Sequence, residues 1–304
     1  MNISFILLFA FSQQPLSSVN HVADPALSAR IQSLFQTVLT TDDEAKEALA
    51  VSQAKNIYTE HGLSSVSEVG DLPEYEFVVL LASEKLPLEF RTQVLTKVKE
   101  AAARRDIPSD SATFYEARLR LDKVKEEAKT HPPTNPALRD QIEGMFKVDQ
   151  VVRQQQGFDP QKMAETDRQN AAPLQAILDK YGVPTFSMVG PEAAGEFVTM
   201  IQHQPGEFRR QVLPQLKAYV TAGEADPESY ALVYDRSQRD VGKKQLYGQH
   251  LECKAGEKLH EAPIEDEAHV NQRRAELGLI RMELYARLVQ ETMPQLCPLT
   301  QPNK

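Results

Sequence analysis

A ten-residue stretch that occurs twice in the chain decides the fold. The first copy is HGLSSVSEVG at residues 61–70, and the second is YGVPTFSMVG at residues 181–190, 120 residues later. The copies share a glycine at the second position and the same Ser-x-Val-Gly ending. Similarity at a fixed spacing of this kind indicates that the chain is built from repeated structural units.

Two further matches extend the repeat. EFV at residues 76–78 recurs at residues 196–198 with the same shift of 120 residues. EFRTQVL at residues 89–95 then recurs as EFRRQVL at residues 207–213 with a shift of 118. The second copy has therefore lost two residues in the intervening turn. We predict two related helical units of about 100 residues each.

Signals for helix ends recur along the chain. The pairs Asp24-Pro25, Asp159-Pro160 and Asp226-Pro227 each place a capping side chain before a proline, which fits the first position of a helix. Gly62 and Gly182 are natural residues just after a helix end. No stretch alternates apolar and polar residues for long enough to predict a strand. These patterns predict an all-α fold.

The two units are unequal. The first occupies residues 24–130, and a polar linker at 131–136 leads to the second at 136–293. Eleven of the 13 glycines lie after residue 140, and only the second unit is followed by a long tail, which begins at Gly242. Since glycine often marks a special backbone conformation or a close approach, we expect the second unit to carry the function and the first to be a degenerate copy.

Composition narrows the class of protein. The 304 residues include 25% charged and 41% hydrophobic residues, which is typical of a globular chain. Asp and Glu number 43 against 34 Lys and Arg, so the net charge of −9 argues against nucleic acid as a partner. Local motifs for nucleotide binding, zinc proteases and serine hydrolases are missing, and we predict no cofactor.

The N-terminal residues fit a short secretory signal peptide. The apolar run at residues 3–11 is far shorter than the roughly 20 residues needed to cross a membrane. Small and polar residues follow it, so we predict a signal peptide at residues 1–12 and a periplasmic or secreted protein. The alternative is an N-terminal helix that is retained, in which case the protein would be cytoplasmic.

The chain contains two cysteines, Cys253 and Cys297. In an oxidising compartment they could form one disulfide bond closing a loop of roughly 40 residues. Two unpaired thiols are the alternative. His250 stands close to Cys253, but a zinc site needs three or four ligands, and we therefore predict no metal site.

His203 and Asp235 are the candidate catalytic residues. His203 ends an apolar helix where the first unit has Ser83, and its imidazole could act as a general base or contact a ligand. Asp235 replaces Ala117 of the first unit and stands beside Arg236, so it could orient His203 or bind substrate. The structural alternatives are a histidine favoured by the helix dipole and an ion pair that holds the tail.

Further candidates follow in the tail. The segment 245–250, QLYGQH, reads as a loop with aromatic and polar groups, and a short helix near its end should expose two arginines that could clamp an anion or form salt bridges. The predicted ligand-binding residues are Arg236, Tyr247, Gln249, His250, Arg273 and Arg274.

The order of these short motifs resembles a bacterial family of domains of unknown function, family 6624. Its members have Gln-His on an apolar helix, then Asp-Arg, a Tyr-Gly-Thr-Gln loop and an Arg-Arg helix ending in Gly-Leu. The matching residues in this chain, within roughly 174–288, are Gln202-His203, Asp235-Arg236, Tyr247-Gly248, Arg273-Arg274 and Gly278-Leu279.

This chain departs from the family pattern at two places. Gln249 and His250 stand where the family has Thr and Gln, and Gln204-Pro205 replaces the usual Ala-Asp after the histidine. The resemblance implies that folding brings these motifs together into one group. It implies no particular activity, because none is established for the family.

Three functions fit these observations. The first is an exported helical protein that binds a small molecule or a peptide in a polar pocket of the second unit. The second is a hydrolase or transferase with His203 as general base and Asp235 as its partner. The third is a scaffold for protein interactions that has no pocket. Whether the protein is an enzyme therefore stays open, as do its ligand and oligomeric state.

Overall fold

The computed structural model describes residues 22–154, 159–253 and 260–292. The predicted signal peptide at residues 1–12 lies outside these ranges. Helices dominate the described residues, which confirms the predicted all-α fold. No helix among them is long and apolar enough to cross a membrane.

Two series of six helices follow one another. The first series is α1 (Pro25–Thr40), α2 (Glu44–His61), α3 (Val66–Val69), α4 (Asp71–Leu81), α5 (Leu88–Arg104) and α6 (Ser109–Thr130). The second series is α7 (Pro136–Gln154), α8 (Pro160–Tyr181), α9 (Phe186–Val189), α10 (Pro191–His203), α11 (Gly206–Ala222) and α12 (Pro227–Arg239). We call α1–α6 the first unit and α7–α12 the second unit.

The remaining described residues form a C-terminal segment, residues 242–253 and 260–292. It holds two short antiparallel strands, β1 (Leu251–Glu252) and β2 (His260–Glu261), with Leu251 opposite Glu261. A 3-10 helix (Glu267–His269) and two α-helices follow, α13 (Val270–Glu276) and α14 (Met282–Thr292). The two-residue strands are too short to leave an alternating pattern in the sequence, which is why they were not predicted.

The predicted helix signals act as expected. The side chain of Asp24 accepts a hydrogen bond from the backbone N–H of Leu27, and Asp159 and Asp226 cap α8 and α12 in the same way. Gly62 and Gly182 follow α2 and α8 with φ of 81° and 74°, a conformation that glycine adopts without steric cost. The repeat itself stays a prediction, and the matching bounds of these helices support it.

The first helix of each unit provides a further match, which was not predicted. PALSARIQSLF at residues 25–35 corresponds to PALRDQIEGMF at residues 136–146, a shift of 111. This shift differs from 118 and 120, so a search at a constant spacing does not find it. With this helix included, each unit has six helices in the same order.

Each unit has its own apolar core. Phe77 belongs to the first core and Phe197 to the second, and both side chains are fully buried. Full burial of such a side chain stabilises the fold by about 1.5–3 kcal/mol. The matched helices α4 and α10 thus anchor the two units through the same residue type.

The C-terminal segment packs against the first unit although it follows the second. The guanidinium of Arg281 donates hydrogen bonds to both carboxylate oxygens of Asp110, at 2.7 and 2.9 Å, and reaches Asp71 at 3.2 Å. It also lies 4.2 Å from the ring centre of Tyr75. Leu284 joins the core of the first unit. The C-terminal segment therefore holds the two units together.

Candidate functional site

His203 ends α10 beside a buried carboxylate. Pro205 follows two residues later and lacks the N–H that a continuing helix would need. The Nδ1 atom of His203 lies 3.2 Å from Oδ1 of Asp149 on α7. The Asp149 side chain is fully buried, whereas the His203 side chain keeps 23% of its surface exposed. The imidazole is therefore held from inside the protein and reachable from outside.

Arg153 and Asp167 complete this group, which we call the His203 cluster (Asp149, Arg153, Asp167 and His203). Arg153 stands one helical turn after Asp149, and its Nε and Nη2 atoms lie 3.0 and 3.1 Å from the two carboxylate oxygens. The same guanidinium also contacts Asp167 on α8. Three helices of the second unit thus contribute to one polar cluster.

The electrostatics of the cluster favour an ionised Asp149. Burial by itself raises the pKa of this carboxyl, but the hydrogen bonds from His203 and Arg153 outweigh burial and lower the pKa to about 2. An ionised Asp149 accepts a hydrogen bond from Nδ1–H of His203, which leaves the lone pair of a neutral imidazole on Nε2. That is the arrangement of a general base with an orienting carboxylate.

The same cluster has the donor atoms for a metal ion. Three of its residues, Asp149, Asp167 and His203, each offer one ligand atom, and these atoms lie within 4.8 Å of one another. Among the described residues, this is the group whose geometry could hold a metal ion. However, Arg153 already pairs with both carboxylates, and a metal ion would have to displace it. We assign no metal to the cluster.

Asp235 is not the partner of His203 in the structure. Its buried carboxylate accepts hydrogen bonds from three backbone amides, those of Leu246, Tyr247 and Gln249, at 2.8 to 3.1 Å. Burial raises the pKa of Asp235, and these amides act against that rise. Asp149 thus pairs with His203 in place of the predicted Asp235, and Asp235 anchors the loop at 245–250.

The loop at 245–250 is closed by its own side chains. The side-chain amide of Gln245 accepts a hydrogen bond from the backbone N–H of His250 at 2.7 Å and donates one to the backbone carbonyl of His250 at 2.9 Å. Gln249 is 5% exposed, and its carbonyl accepts a hydrogen bond from the hydroxyl of Tyr285. The ring of Tyr247 packs against Tyr230 and Tyr234. Gln249 and Tyr247 therefore hold the loop rather than line an open pocket.

The paired arginines are not exposed as predicted. Arg274 is 1% exposed and donates to the carbonyls of Tyr247 and Ile280, both at 2.6 Å. Arg273 donates to the carbonyl of Leu246 at 2.9 Å and to two more carbonyls at residues 265 and 266. Buried guanidinium groups require such acceptors. Both arginines fasten the C-terminal segment to the loop at 245–250.

Arg236 lies at a cationic cavity, and His250 lies close to the arginines that line it. Arg236 is exposed and, with Arg239 and Asp240, lines a cavity of about 330 Å³. Burial, together with the positive charges of Arg239 and Arg236, lowers the pKa of the half-buried His250 to about 4. His250 is thus neutral at pH 7, and the positive charge of this cavity comes from the arginines.

The structure therefore places the predicted site residues in different groups of contacts. His203 belongs to the His203 cluster, Arg236 lines the cationic cavity, and His250 lies close to its arginines. Asp235 and the remaining candidates build the loop at 245–250 and its attachments. Cys253 follows β1 and is exposed, whereas Cys297 lies outside the described residues, so the disulfide bond stays a prediction.

Three residues of the cluster were not predicted. Asp149, Arg153 and Asp167 stand apart from the motifs of the second unit. A signal for Asp149 exists, because it continues the buried stripe formed by Leu138 and Ile142 on α7. A carboxylate on an apolar stripe is unusual and marks a group with a partner.

Comparison with known proteins places the chain in a family. A family model described as a family of unknown function (DUF6624) matches residues 136–295, which is more than half of the chain. The match contains the second unit and the whole of the C-terminal segment. The chain matches no curated protein and no solved structure. With the motifs quoted above, this match shows that the chain belongs to the DUF6624 family.

Proposed function

We propose that the chain binds a small polar ligand in its second unit and that His203 acts on this ligand as a general base. The observation that carries the proposal is the hydrogen bond between Nδ1 of His203 and the fully buried Asp149. It orients the imidazole and leaves Nε2 for a proton of the ligand. Asp149 thus takes the role that was predicted for Asp235.

The repeat supports a ligand space beside His203. Four positions of the second unit have counterparts in the first unit that line one cavity of about 300 Å³. Each pair gives the residue of the second unit first and its counterpart in the first unit second. The pairs are His203 with Ser83, Arg236 with Arg118, Asp149 with Val38, and Asp167 with Glu47. If the units fold alike, the polar members of these pairs border the same space in the second unit.

The charges indicate the ligand class. Arg236 and Arg239 line a cavity in the second unit, and Asp240, which lines it with them, is already bonded to Arg209 at 2.7 Å. Arg239 is paired with Glu252 at 3.3 Å, so Arg236 is the arginine of this cavity without an ion pair among the described residues. Guanidinium groups recognise carboxylates and phosphates. We therefore expect an anionic ligand with a proton or an attacking water for His203. A hydrolase or transferase reaction fits these requirements.

A thermal-shift screen tests the proposal. We would compare the wild type, His203→Ala and His131→Ala against a set of small carboxylates and phosphate esters. His131 is an exposed histidine at the end of α6 and serves as the matched control. At least one compound should raise the melting temperature of the wild type and of His131→Ala by several degrees, and that shift should disappear in His203→Ala.

Two results would contradict the proposal. One is that no compound stabilises the wild type. The other is that every stabilising compound acts equally on His203→Ala. The second result would favour a role of His203 in the packing of α7 against α10, and the protein would then fit a scaffold better than an enzyme.

A further inference from the structure

A second cavity lies between the first unit and the C-terminal segment. It has a volume of about 300 Å³, at the lower end of the range for ligand pockets, so that it suits a small molecule. Its walls are largely apolar, and they include Phe35, Val38, Val79, Phe114, Leu279 and Leu288. Such a cavity would take a ligand with an apolar body.

Two opposite charges face this cavity without pairing with each other. Arg118 and Glu228 both line it, yet no ion pair within 4 Å joins them among the described residues. The guanidinium of Arg118 lies 3.5 Å from Asp122 through Nε only, and its side chain keeps 36% of its surface exposed. Glu228 is exposed in the first turn of α12 and has no ion-pair partner among the described residues.

The other charged groups at the cavity are engaged or add negative charge. Arg274 is bonded to two carbonyls and lies 4.7 Å from the ring centre of Tyr285. Glu47 is paired with Lys85 at 3.2 Å, and Glu84 is exposed. Glu228 has three cations in its surroundings, Arg118, Arg274 and Lys125, but no direct ion pair with any of them among the described residues. Its carboxylate can therefore take a cationic group of a ligand.

We propose that this cavity binds a free α-amino acid with an apolar side chain. Its ammonium group would meet Glu228, its carboxylate would meet Arg118, and its side chain would lie against the apolar walls. Charged hydrogen bonds of both signs would then orient a molecule that the small cavity can hold. The site is independent of His203 and of the function proposed for the second unit.

Calorimetric titration of the full chain tests the proposal with L-leucine, L-methionine and L-phenylalanine as probes. At least one of them should bind, and its single-charge analogues should bind at least ~10-fold more weakly. For leucine these analogues are 4-methylpentanoate, which lacks the ammonium group, and 3-methylbutylamine, which lacks the carboxylate. Loss of either charge removes one of the two polar contacts while the apolar body is kept.

Variants locate the binding. Glu228→Gln and Arg118→Gln should each weaken binding at least ~10-fold. The matched controls are Glu207→Gln, an exposed glutamate in the first turn of α11, and Arg120→Gln, an exposed arginine two residues along α6. Both controls and His203→Ala should bind like the wild type, so failure of this site is distinguishable from failure of the site at His203.

Three outcomes would overturn the proposal. The three amino acids could fail to bind at ~10 mM, a concentration that saturates even millimolar sites. The single-charge analogues could bind as tightly as the amino acid. Lastly, Glu228→Gln and Arg118→Gln could both bind like their controls. Since both side chains are exposed to the cavity, circular dichroism should show that these variants fold.

Discussion

Asp149 is a carboxylate on the buried stripe of α7, and we expect its charge to contribute strongly to stability. Asp149→Asn should lower the free energy of unfolding by about 3 kcal/mol, because it leaves the charge of Arg153 partly buried and less well paired. Asp140→Asn, an exposed position on the same helix, should change it by less than ~0.5 kcal/mol. Urea unfolding measures both, and equal losses would contradict the role of Asp149.

Glu74 on α4 should make stability depend on pH. Its side chain is fully buried, one oxygen accepts a hydrogen bond from Ser111, and burial raises its pKa to about 8, against the lesser effect of Arg281. The folded state therefore binds more protons than the unfolded state between pH 4.5 and 8. The stability that protonated Glu74 contributes is complete below this range and decreases as pH rises through it.

Glu74→Gln removes this ionisable group while keeping its shape. The variant should unfold like the wild type near pH 4 and should be more stable than the wild type at pH 9, by roughly 2–5 kcal/mol. Urea midpoints at the two pH values measure the difference. The exposed Glu89→Gln is the control. A difference that does not change with pH would show that Glu74 is ionised in the folded protein.

At the scale of elements, Asp235 decides the shape of the loop at 245–250. Asp235→Ala should leave the amides of Leu246, Tyr247 and Gln249 without an acceptor, and their hydrogen exchange should accelerate. Asp235→Asn keeps one acceptor oxygen and should show a smaller effect.

Hydrogen exchange followed by mass spectrometry or NMR can resolve this loop. Glu267→Gln, an exposed change in the C-terminal segment, is the control and should leave the exchange unaltered. Unchanged protection of the three amides in Asp235→Ala would mean that another group holds the loop. Asp235 would then be available again as a partner for substrate.

The helices were predictable from the sequence because their signals are local. Asp159 caps amides two and three residues away, and Gly182 ends the same helix through its own backbone conformation. The candidate site was less predictable because its contacts join residues that are far apart in the sequence. Asp149 and His203 are 54 residues apart, and Asp235 reaches amides 11 to 14 residues away. Nothing in either local sequence says which of the two carboxylates faces the imidazole.

The burial of Arg274 could not be predicted from the sequence for the same reason. Its position on a short polar helix favours exposure, and the structure buries it because the carbonyls of Tyr247 and Ile280 accept its hydrogen bonds. Those acceptors come from two turns that only the folded C-terminal segment brings together. The type of helix could be predicted from the sequence, but the partner of its arginine could not.

At the scale of the whole molecule, Gly278 controls how the C-terminal segment meets the first unit. Its φ is +69°, and a Cβ atom there would lie 3.1 Å from the backbone nitrogen of Arg118. Gly278→Ala should therefore lower the free energy of unfolding by about 1–2 kcal/mol through backbone strain, and by a further amount because the packing against Arg118 is displaced. Gly62→Ala has a similar φ of +81° but meets no atom within 4 Å, so it should show the strain alone.

Thermal unfolding of the two glycine variants separates these effects. Gly278→Ala should have the lower melting temperature. If the proposed amino-acid site is present, this variant should also bind its ligand more weakly, because Gly278 lines that cavity. Equal melting temperatures would mean that the C-terminal segment can move away from α6 at little cost.

The whole molecule thus combines two helical units of the same order with different chemistry. The first unit has Val38 and Ser83 where the second has Asp149 and His203, and its cavity is covered by the C-terminal segment. The polar positions of the second unit are the reason for assigning the function there. The central claim is therefore that Asp149 orients His203 as a general base.

The protonation of the His203 ring nitrogens tests that claim most directly. Two-dimensional ¹⁵N–¹H NMR of the imidazole, recorded where the ring is neutral, distinguishes the nitrogen that carries hydrogen from the one that does not. Our account predicts hydrogen on Nδ1 and a bare Nε2 in the wild type, with this preference lost in Asp149→Asn. Hydrogen on Nε2 in the wild type would contradict it, because the lone pair would then be on Nδ1, the nitrogen that faces Asp149, and Nε2 could not accept a proton from a ligand.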